Sequence, residues 1–267
     1  MYEENIKLVI EQDDVNNMQP KMIFIVPYRD REQHKSLFLR QMQYILEDIP
    51  KSDYEIYFAH QCDNHDFNRG AMKNIGFLAM KQKYPEHYQN ITFIFNDVDT
   101  MPYTKGLLQY DTVHGNVKHF YGFNYALGGI VSITGNDYEK TNGFPNLWAW
   151  GYEDNTFQKR VLSSGLHIDR SKFYSIYDEN ILQLYHGTSR IVNRSEYDKV
   201  TQKNTTDGLS SISNIEYQID DYAHLINITN FVVPPINNKS KNIVYDLRKG
   251  NNIFTKRGGQ MKMGLFS

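Results

Sequence analysis

The stretch "ITFIFNDVDTMP", Ile91–Pro102, decides how this chain is read. Ile91 to Phe95 is a run of β-branched and aromatic residues, the composition of a strand buried on both faces. It runs straight into Asp97 and Asp99, two carboxylates on either side of a valine. Unpaired charge in a core is costly, so the strand must stop here or the pair must have a partner. Residues at i and i+2 of an extended chain share a side. Two carboxylates on one side suit a hard divalent cation, which takes oxygen ligands. The same tripeptide also suits a turn, or a helix N-terminus where acids meet free amides. On the tripeptide alone the two readings balance.

Upstream, "MIFIVP" (Met22–Pro27) and "YEIYFAHQ" (Tyr54–Gln61) read as two more strands. Between the three strands lie two helical patterns. One covers 31–48 and continues to Ile49, with Leu37, Phe38, Met42, Ile45, Leu46 and Ile49 at near-helical spacing; the other runs from Asn68 to Tyr84 through Met72, Ile75, Leu78 and Ala79. Strand, helix, strand, helix, strand builds a parallel sheet with right-handed crossovers. Ligands of such sheets bind beyond the carboxyl ends of the strands. That rule brings together three loops: "PYRDR", "HQCDNHDFNRG" and "NDVDT". Downstream, Gly128–Thr134 reads as a strand, Asn155–Gly165 as a helix stopped by its glycine, and Asn180–His186 as a late strand ending in histidine. From Pro234 the chain turns polar. The expected organisation is an N-terminal extension (1–20), one folded domain (21–235) and a loosely packed tail (236–267).

Composition narrows the function classes. With 267 residues, 40% hydrophobic and 22% charged, the chain has the makeup of a globular α/β domain. A formal net charge of -2 offers no basic field, so nucleic acid is not an expected partner. No stretch approaches the roughly 18 apolar residues of a membrane helix. Cys62 is the single cysteine, so no intramolecular disulfide can form. The opening "MYEENIKLVIEQDD" has no apolar signal core. Together these features lead us to expect a reducing, cytoplasmic site of action with no membrane segment. Richness in Asn, Ile, Lys and Tyr suits an AT-rich coding genome, a viral one included.

Several groups have the chemistry of a site. Arg29 and Arg31 follow the first strand, and alternation puts them on one face; guanidinium forks suit phosphate oxygens, although surface salt bridges would use the same residues. In "FNRG", Phe67 can cover a base and Arg69 can meet a carboxylate or phosphate, while Asn68 also reads as a plain helix cap. "NGFPNLWAWGYEDN" (Asn142–Asn155) holds the only two tryptophans, Trp148 and Trp150, followed by Glu153 and Asp154. An aromatic wall beside carboxylates holds a sugar by stacking and hydrogen bonds, and Asp154 can act as general base toward a hydroxyl. Core tryptophans and acids at a helix N-terminus are the structural alternative. His186 becomes a credible metal ligand once paired with the Asp97–Asp99 segment.

Taken in order, "FIVPYRDR", "FNRGAMKNIGF", "FNDVDTMP", "GGIVSIT", "NGFPNLWAWGYEDN" and a later "H-x-x-S-R", followed by "DGLSS" (Asp207–Ser211), resemble the β-1,4-galactosyltransferase family over roughly Met22 to Val233. The resemblance implies a GT-A fold: an α/β domain with a mostly parallel central sheet, a Rossmann-like nucleotide-binding half and an acceptor-binding half. It implies Mn²⁺-dependent, inverting transfer of a hexose, galactose first, from a UDP-sugar to a hydroxyl of a glycan or glycoprotein. By position, Pro27, Tyr28, Arg29 and Arg31 would line the diphosphate site, and Phe67 and Arg69 the uridine. Asp97 and Val98 would contact the nucleotide, and Gly129 and Trp150 the donor sugar and phosphates. Glu153 would hold hydroxyls, Asp154 would be the base, and Asp99 and His186 would bind the metal.

Departures are local. The family's W-G-W-G is "WAWGY" here, so Ala149 adds a methyl group and Tyr152 replaces a glycine beside the sugar site. Asn155 and Thr156 shorten the acidic run. Where the family has a methionine ligand, three residues before the histidine, this chain has Gln183, a harder oxygen donor that would admit Mg²⁺ beside Mn²⁺. The altered "GYEDN" also leaves open a non-catalytic UDP-sugar or glycan-binding module with a degenerate acceptor site.

Overall fold

The computed structural model of the chain describes residues 19–201, 207–233 and 239–249. Its first half alternates β1 (Met22–Tyr28), α1 (Glu32–Ile45), β2 (Tyr54–Gln61), α2 (Arg69–Lys83) and β3 (Thr92–Asn96). All residues of β1 and β3 are buried, and β1 lies parallel between β2 and β3. Two-sided burial is the reason these strands read as continuous apolar runs. Alternation divides β1 between two cores. Ile23 and Ile25 join Ala71, Ile75 and Phe77 of α2, whereas Phe24 and Val26 join Phe38 and Met42 of α1. Leu37, counted in the predicted α1 stripe, is exposed. α2 is buried without a break from Gly70 to Phe77. It approaches β1 so closely that a Cβ on Gly76 would stand 2.6 Å from Ile25 Cγ2.

The second half is built of shorter pieces: β4 (Thr100–Pro102), β5 (Asn116–Gly122), β6 (Ile130–Thr134), α3 (Gly135–Lys140), α4 (Glu153–Ser163), β7 (His167–Asp169), β8 (Tyr174–Ser175), β9 (Ile181–Gln183), β10 (Ser189–Asn193), α5 (Arg194–Thr201), β11 (Ser213–Asp220), β12 (Leu225–Val232) and β13 (Asn242–Asp246). The main sheet has the order β11-β12-β2-β1-β3-β6-β5-β7, with β8 beside β5. β12, β2, β1 and β3 are parallel; β6 runs antiparallel to both β3 and β5, and β11 to β12. The result is the mixed, mostly parallel α/β sheet that the element order predicts.

Two expectations need correction. The late strand predicted over Asn180–His186 is only Ile181–Gln183, paired antiparallel with β4 in a separate ribbon, and His186 lies three residues beyond it. Part of the predicted loose tail is ordered structure: β13 pairs with β10, and Leu247 is buried. The ribbon lies at the surface, where Ile243 and Val244 are exposed, and draws its order from ladder hydrogen bonds; its short "NIVYD" run sits in polar, turn-rich sequence and was not read as a strand. Residues 1–18 of the expected extension and 236–238 and 250–267 of the tail lie outside the described residues. No helix among the described residues is long and apolar enough to cross a membrane.

Candidate active site

The ladder between β3 and β6 runs one residue past Asn96, because the Asp97 N–H donates to Gly129 O at 2.9 Å. The chain then turns. The Thr100 N–H and hydroxyl both donate back to Asp97 O, each at 3.2 Å. Buried Asn96 locks the turn from inside, its Nδ2 donating to the carbonyls of Asp97 (2.9 Å) and Thr100 (2.8 Å). The expectation that Asp97 and Asp99 leave one side of an extended strand is therefore corrected. The turn sends Asp97 toward α2 and Asp99 toward the segment after β9.

Asp97 joins a buried charge cluster. Asn68 caps α2, its Oδ1 accepting from the Ala71 N–H at 2.9 Å. That cap fixes Arg69, whose Nη1 donates to Asp97 Oδ2 (3.1 Å), Nη2 to Asp154 Oδ2 (2.8 Å) and Nε to Glu153 Oε1 (2.9 Å). Glu153 and Asp154 open α4, beside the N-terminal half of its dipole. One turn along α2, Lys73 is only 1% exposed, with Nζ 3.6 Å from both Asp97 Oδ1 and Asp154 Oδ1. Burial pushes the Asp97 carboxyl up, but Arg69 and Lys73 outweigh it and hold it below the usual range. At Asp154 burial wins, helped by Glu153 and Asp97 against the two cations, and the carboxyl is raised. Oδ1 of Asp97, Oδ1 of Asp154 and Oε2 of Glu153 are buried acceptors with no hydrogen-bond partner.

The connection between β5 and β6 forms the floor beside Asp154. A Cβ on Gly128 would stand 2.4 Å from Asp154 Oδ2, so only glycine lets the carboxylate lie there. Gly129 has φ +68°, and a Cβ there would meet Tyr121 O at 2.4 Å. His119 braces this turn. Its Nε2 contacts the carbonyls of Tyr121 (3.0 Å) and Gly128 (3.1 Å), and its Nδ1 accepts from Arg170 Nε (3.0 Å). Burial, and then the Arg170 charge, push the imidazole down to about 4. His119 is thus neutral, with its proton on Nε2.

Asp99 belongs to a different, smaller group. Its Oδ2 faces His186 Nδ1 at 2.9 Å. The β4–β9 ribbon sets this meeting: Thr100 pairs with Gln183, and the Leu184 N–H donates to Asp99 O at 2.7 Å. Gln183 Oε1 accepts from the Tyr121 hydroxyl. Among the described residues no three His, Cys, Asp or Glu side chains converge as a metal cage. The donor set on offer is therefore carboxylate, imidazole and amide oxygen, which fits a Mn²⁺-type cation.

Arg29 and Arg31 do not share a face. Asp30 has φ +52° between them. Arg29 fastens the first loop to the second, donating to the carbonyls of His65 (2.5 Å) and Asp63 (2.7 Å), while Arg31 reaches His186 O at 3.4 Å. Pro27, Tyr28 and Val98 are buried under these loops. Phe67 is 37% exposed, so it is not a core phenylalanine. The tryptophans divide: Trp148 is core, stacked on Phe231 at 5.5 Å, whereas Trp150 is half-buried under Arg190, 5.7 Å away. The Tyr152 ring packs into a small cluster with Val192, Trp150 and Tyr245. Lys73, His119 and Tyr121 escaped the sequence reading, and Gly128 and Arg190 fell within quoted motifs without being given a role. The sequence carried no signal for Lys73; its burial follows only from the continuous burial of α2 in the fold.

The sheet order and the strand-end loops are those of a GT-A glycosyltransferase fold. The catalytic domain of Drosophila β1,4-galactosyltransferase 7, solved with xylobiose, matches with TM-score 0.62 and 19% identity over 83% of this chain and 97% of that one. A mutant of that enzyme, solved with manganese, UDP-Gal and xylobiose, matches with TM-score 0.60 and 20% identity, at the same coverage. Two family models match in succession: the N-terminal region of glycosyl transferase group 7 over residues 11–109, and the N-terminal domain of galactosyltransferase over residues 109–186. The chain belongs to glycosyl transferase group 7, the β-1,4-galactosyltransferase family. Xylosylprotein 4-β-galactosyltransferase of Caenorhabditis elegans is 28% identical over 75% of this chain and 72% of its own length. β-1,4-Galactosyltransferase 4 of Mus musculus is 32% identical over 57% of this chain. The chain spans about half the length of that mouse relative, 45%, and 62% of its human counterpart.

Proposed function

We propose that this chain is a metal-dependent inverting glycosyltransferase, moving a hexose, galactose first, from a UDP-sugar to a hydroxyl of a glycan or glycoprotein. The observation that carries the reading is Asp154: a half-buried carboxylate with Oδ2 on Arg69, Oδ1 3.6 Å from the Lys73 ammonium, and a raised carboxyl. A carboxylate held in this way can accept the proton of an acceptor hydroxyl as that hydroxyl's oxygen attacks the anomeric carbon. Attack from the face opposite UDP inverts the configuration. Glu153, with Oε2 free, orients sugar hydroxyls. Arg29 and Arg31, with Pro27 and Tyr28, line the diphosphate site, Phe67 and Arg69 lie near the uridine, Asp97 and Val98 contact the nucleotide, and Gly129 and Trp150 lie against the donor sugar and phosphates. The relatives, named galactosyltransferases, support a galactose donor, and the Drosophila complex with UDP-Gal and xylobiose supports a glycan acceptor.

Asp99 and His186 would hold the cation, with Gln183 as third ligand once its oxygen is released by Tyr121. When bound, the ion would neutralise the charge of the leaving diphosphate. The test is UDP release from a panel of UDP-sugars and glycan acceptors, with Mn²⁺, with Mg²⁺ and with chelator. Release that needs both an acceptor and a divalent ion is expected. Tight UDP-sugar binding with no release under any acceptor would instead favour the binding-module reading, and activity in Mn²⁺ but not Mg²⁺ would refute the tolerance argued from Gln183.

A further inference from the structure

We propose that Lys73 is a positioning residue for the reaction, its buried ammonium spanning Asp97 and Asp154 and fixing the orientation and charge of the base. The inference rests on the reading of Asp154 as the base. Lys73 is 1% exposed on a helix with no polar face in that stretch. A buried ammonium is costly unless paired, and its surroundings supply the pairing. Nζ stands 3.6 Å from Asp97 Oδ1, 3.6 Å from Asp154 Oδ1 and 4.3 Å from the centre of the Phe144 ring. Those two oxygens are the ones without hydrogen-bond partners, and Arg69 takes the other oxygen of each aspartate. Arg69, Asp97, Lys73 and Asp154 thus form a ring of alternating charge, each carboxylate held between two cations.

The two cations differ in what they can do next. Arg69 is 23% exposed at the first position of α2, where an incoming phosphate can compete for it. Lys73 has no route to solvent and stays with the aspartates when substrate arrives. Asp154 is faced by Arg69 and Lys73 from α2, by Asp97 from the end of β3, by Glu153 from its own helix, and by the backbone of Leu127 and Gly128. Without Lys73, Asp154 would share Arg69 with two other carboxylates, and its proton would leave at higher pH.

The first readout needs no turnover. In protein labelled with ¹³C at the aspartate carboxyls, the Asp154 resonance is assigned by its loss in Asp154→Asn. Its midpoint should rise by at least about one pH unit in Lys73→Met and in Lys73→Gln. An unchanged midpoint in either folded variant overturns the proposal. On the unsubstituted protein, the Lys73 Nζ ¹⁵N shift should titrate with the Asp154 midpoint, and a flat shift would equally refute the pairing. The second readout is the pH profile of kcat/KM. Its acid limb should move up with the Asp154 midpoint, and kcat should fall more than donor KM rises. A purely structural Lys73 would scale the rate evenly at every pH and leave that limb in place. Absence of transfer by the unsubstituted chain would count against the proposed function, while the NMR midpoints would still decide the role of Lys73.

Discussion

Asp97 and Asp99 stand two residues apart and belong to different regions. Asp97 lies in a buried cluster in which Arg69 and Lys73 hold it, Glu153 and Asp154 together. Asp99 faces one imidazole, at the half-buried end of a short ribbon. The buried side is preorganised by the chain's own charges. The other side offers a carboxylate, an imidazole and an amide already engaged by Tyr121, a set that a ligand must complete. The difference teaches that a D-x-D spacing says little until the turn is known: Asn96 and Thr100 decide which way each carboxylate points. Three substitutions, and then a brace shared by both regions, sharpen or break that contrast.

The largest effect belongs to the buried side. Asp154→Asn should lower kcat by about 10³-fold, the scale of general-base loss, with UDP-sugar affinity within a few-fold of the original by calorimetry. Unimpaired transfer would break the assignment of the base. On the other side, Asp99→Ala should abolish the tightening of UDP binding by Mn²⁺, a loss of roughly 10²-fold, since losing even the groups that orient a metal's ligands costs about 10–100-fold, and leave metal-free affinity alone. If metal-free affinity fell as far, the two regions would not be separable. Gly128→Ala follows. Its methyl would press 2.4 Å from Asp154 Oδ2, and a displacement of that order costs up to about 10²-fold in rate. The Mn²⁺ effect on UDP should survive in this variant, because Gly128 does not touch the Asp99–His186 pair.

The same contrast explains what was legible in the sequence. Strands buried on both faces must be apolar throughout, so β1, β2, β3 and their order could be read directly, and with them the α/β fold. The candidate site residues on the ends of those strands were proposed from the family's motifs. What could not be read was set by tertiary partners. β13 forms because β10 offers it a ladder. Asp97 and Asp99 diverge because a buried asparagine bends the chain. Lys73 reads as a solvated lysine until the burial of α2 on all sides is known. β5 was missed because its lysine and histidine break the apolar pattern, although His119 is only 1% exposed.

His119 gives the smallest prediction and tests the contrast at its join. The imidazole braces the carbonyl of Gly128, which abuts Asp154, and that of Tyr121, whose hydroxyl holds Gln183. It therefore supports both regions at once. Its affinity for a proton is depressed to about 4 in the folded chain, against about 6.5 when unfolded. Between those values the unfolded chain binds more protons, so stability present above about pH 6.5 is lost as pH falls toward 4. At pH 5 the loss from this group is about 2 kcal/mol. His119→Gln should be less stable than the parent at pH 7 by roughly 1–2 kcal/mol, for the weakened hydrogen bonds. Its denaturant midpoint should then converge on the parent's as pH is lowered to 5. Parallel curves from pH 7 to 5 would mean that His119 is not held neutral. If they do converge, the turn that supports the base and the turn that holds Gln183 share one proton-sensitive brace, and the two regions are coupled below pH 6 although they act apart at pH 7.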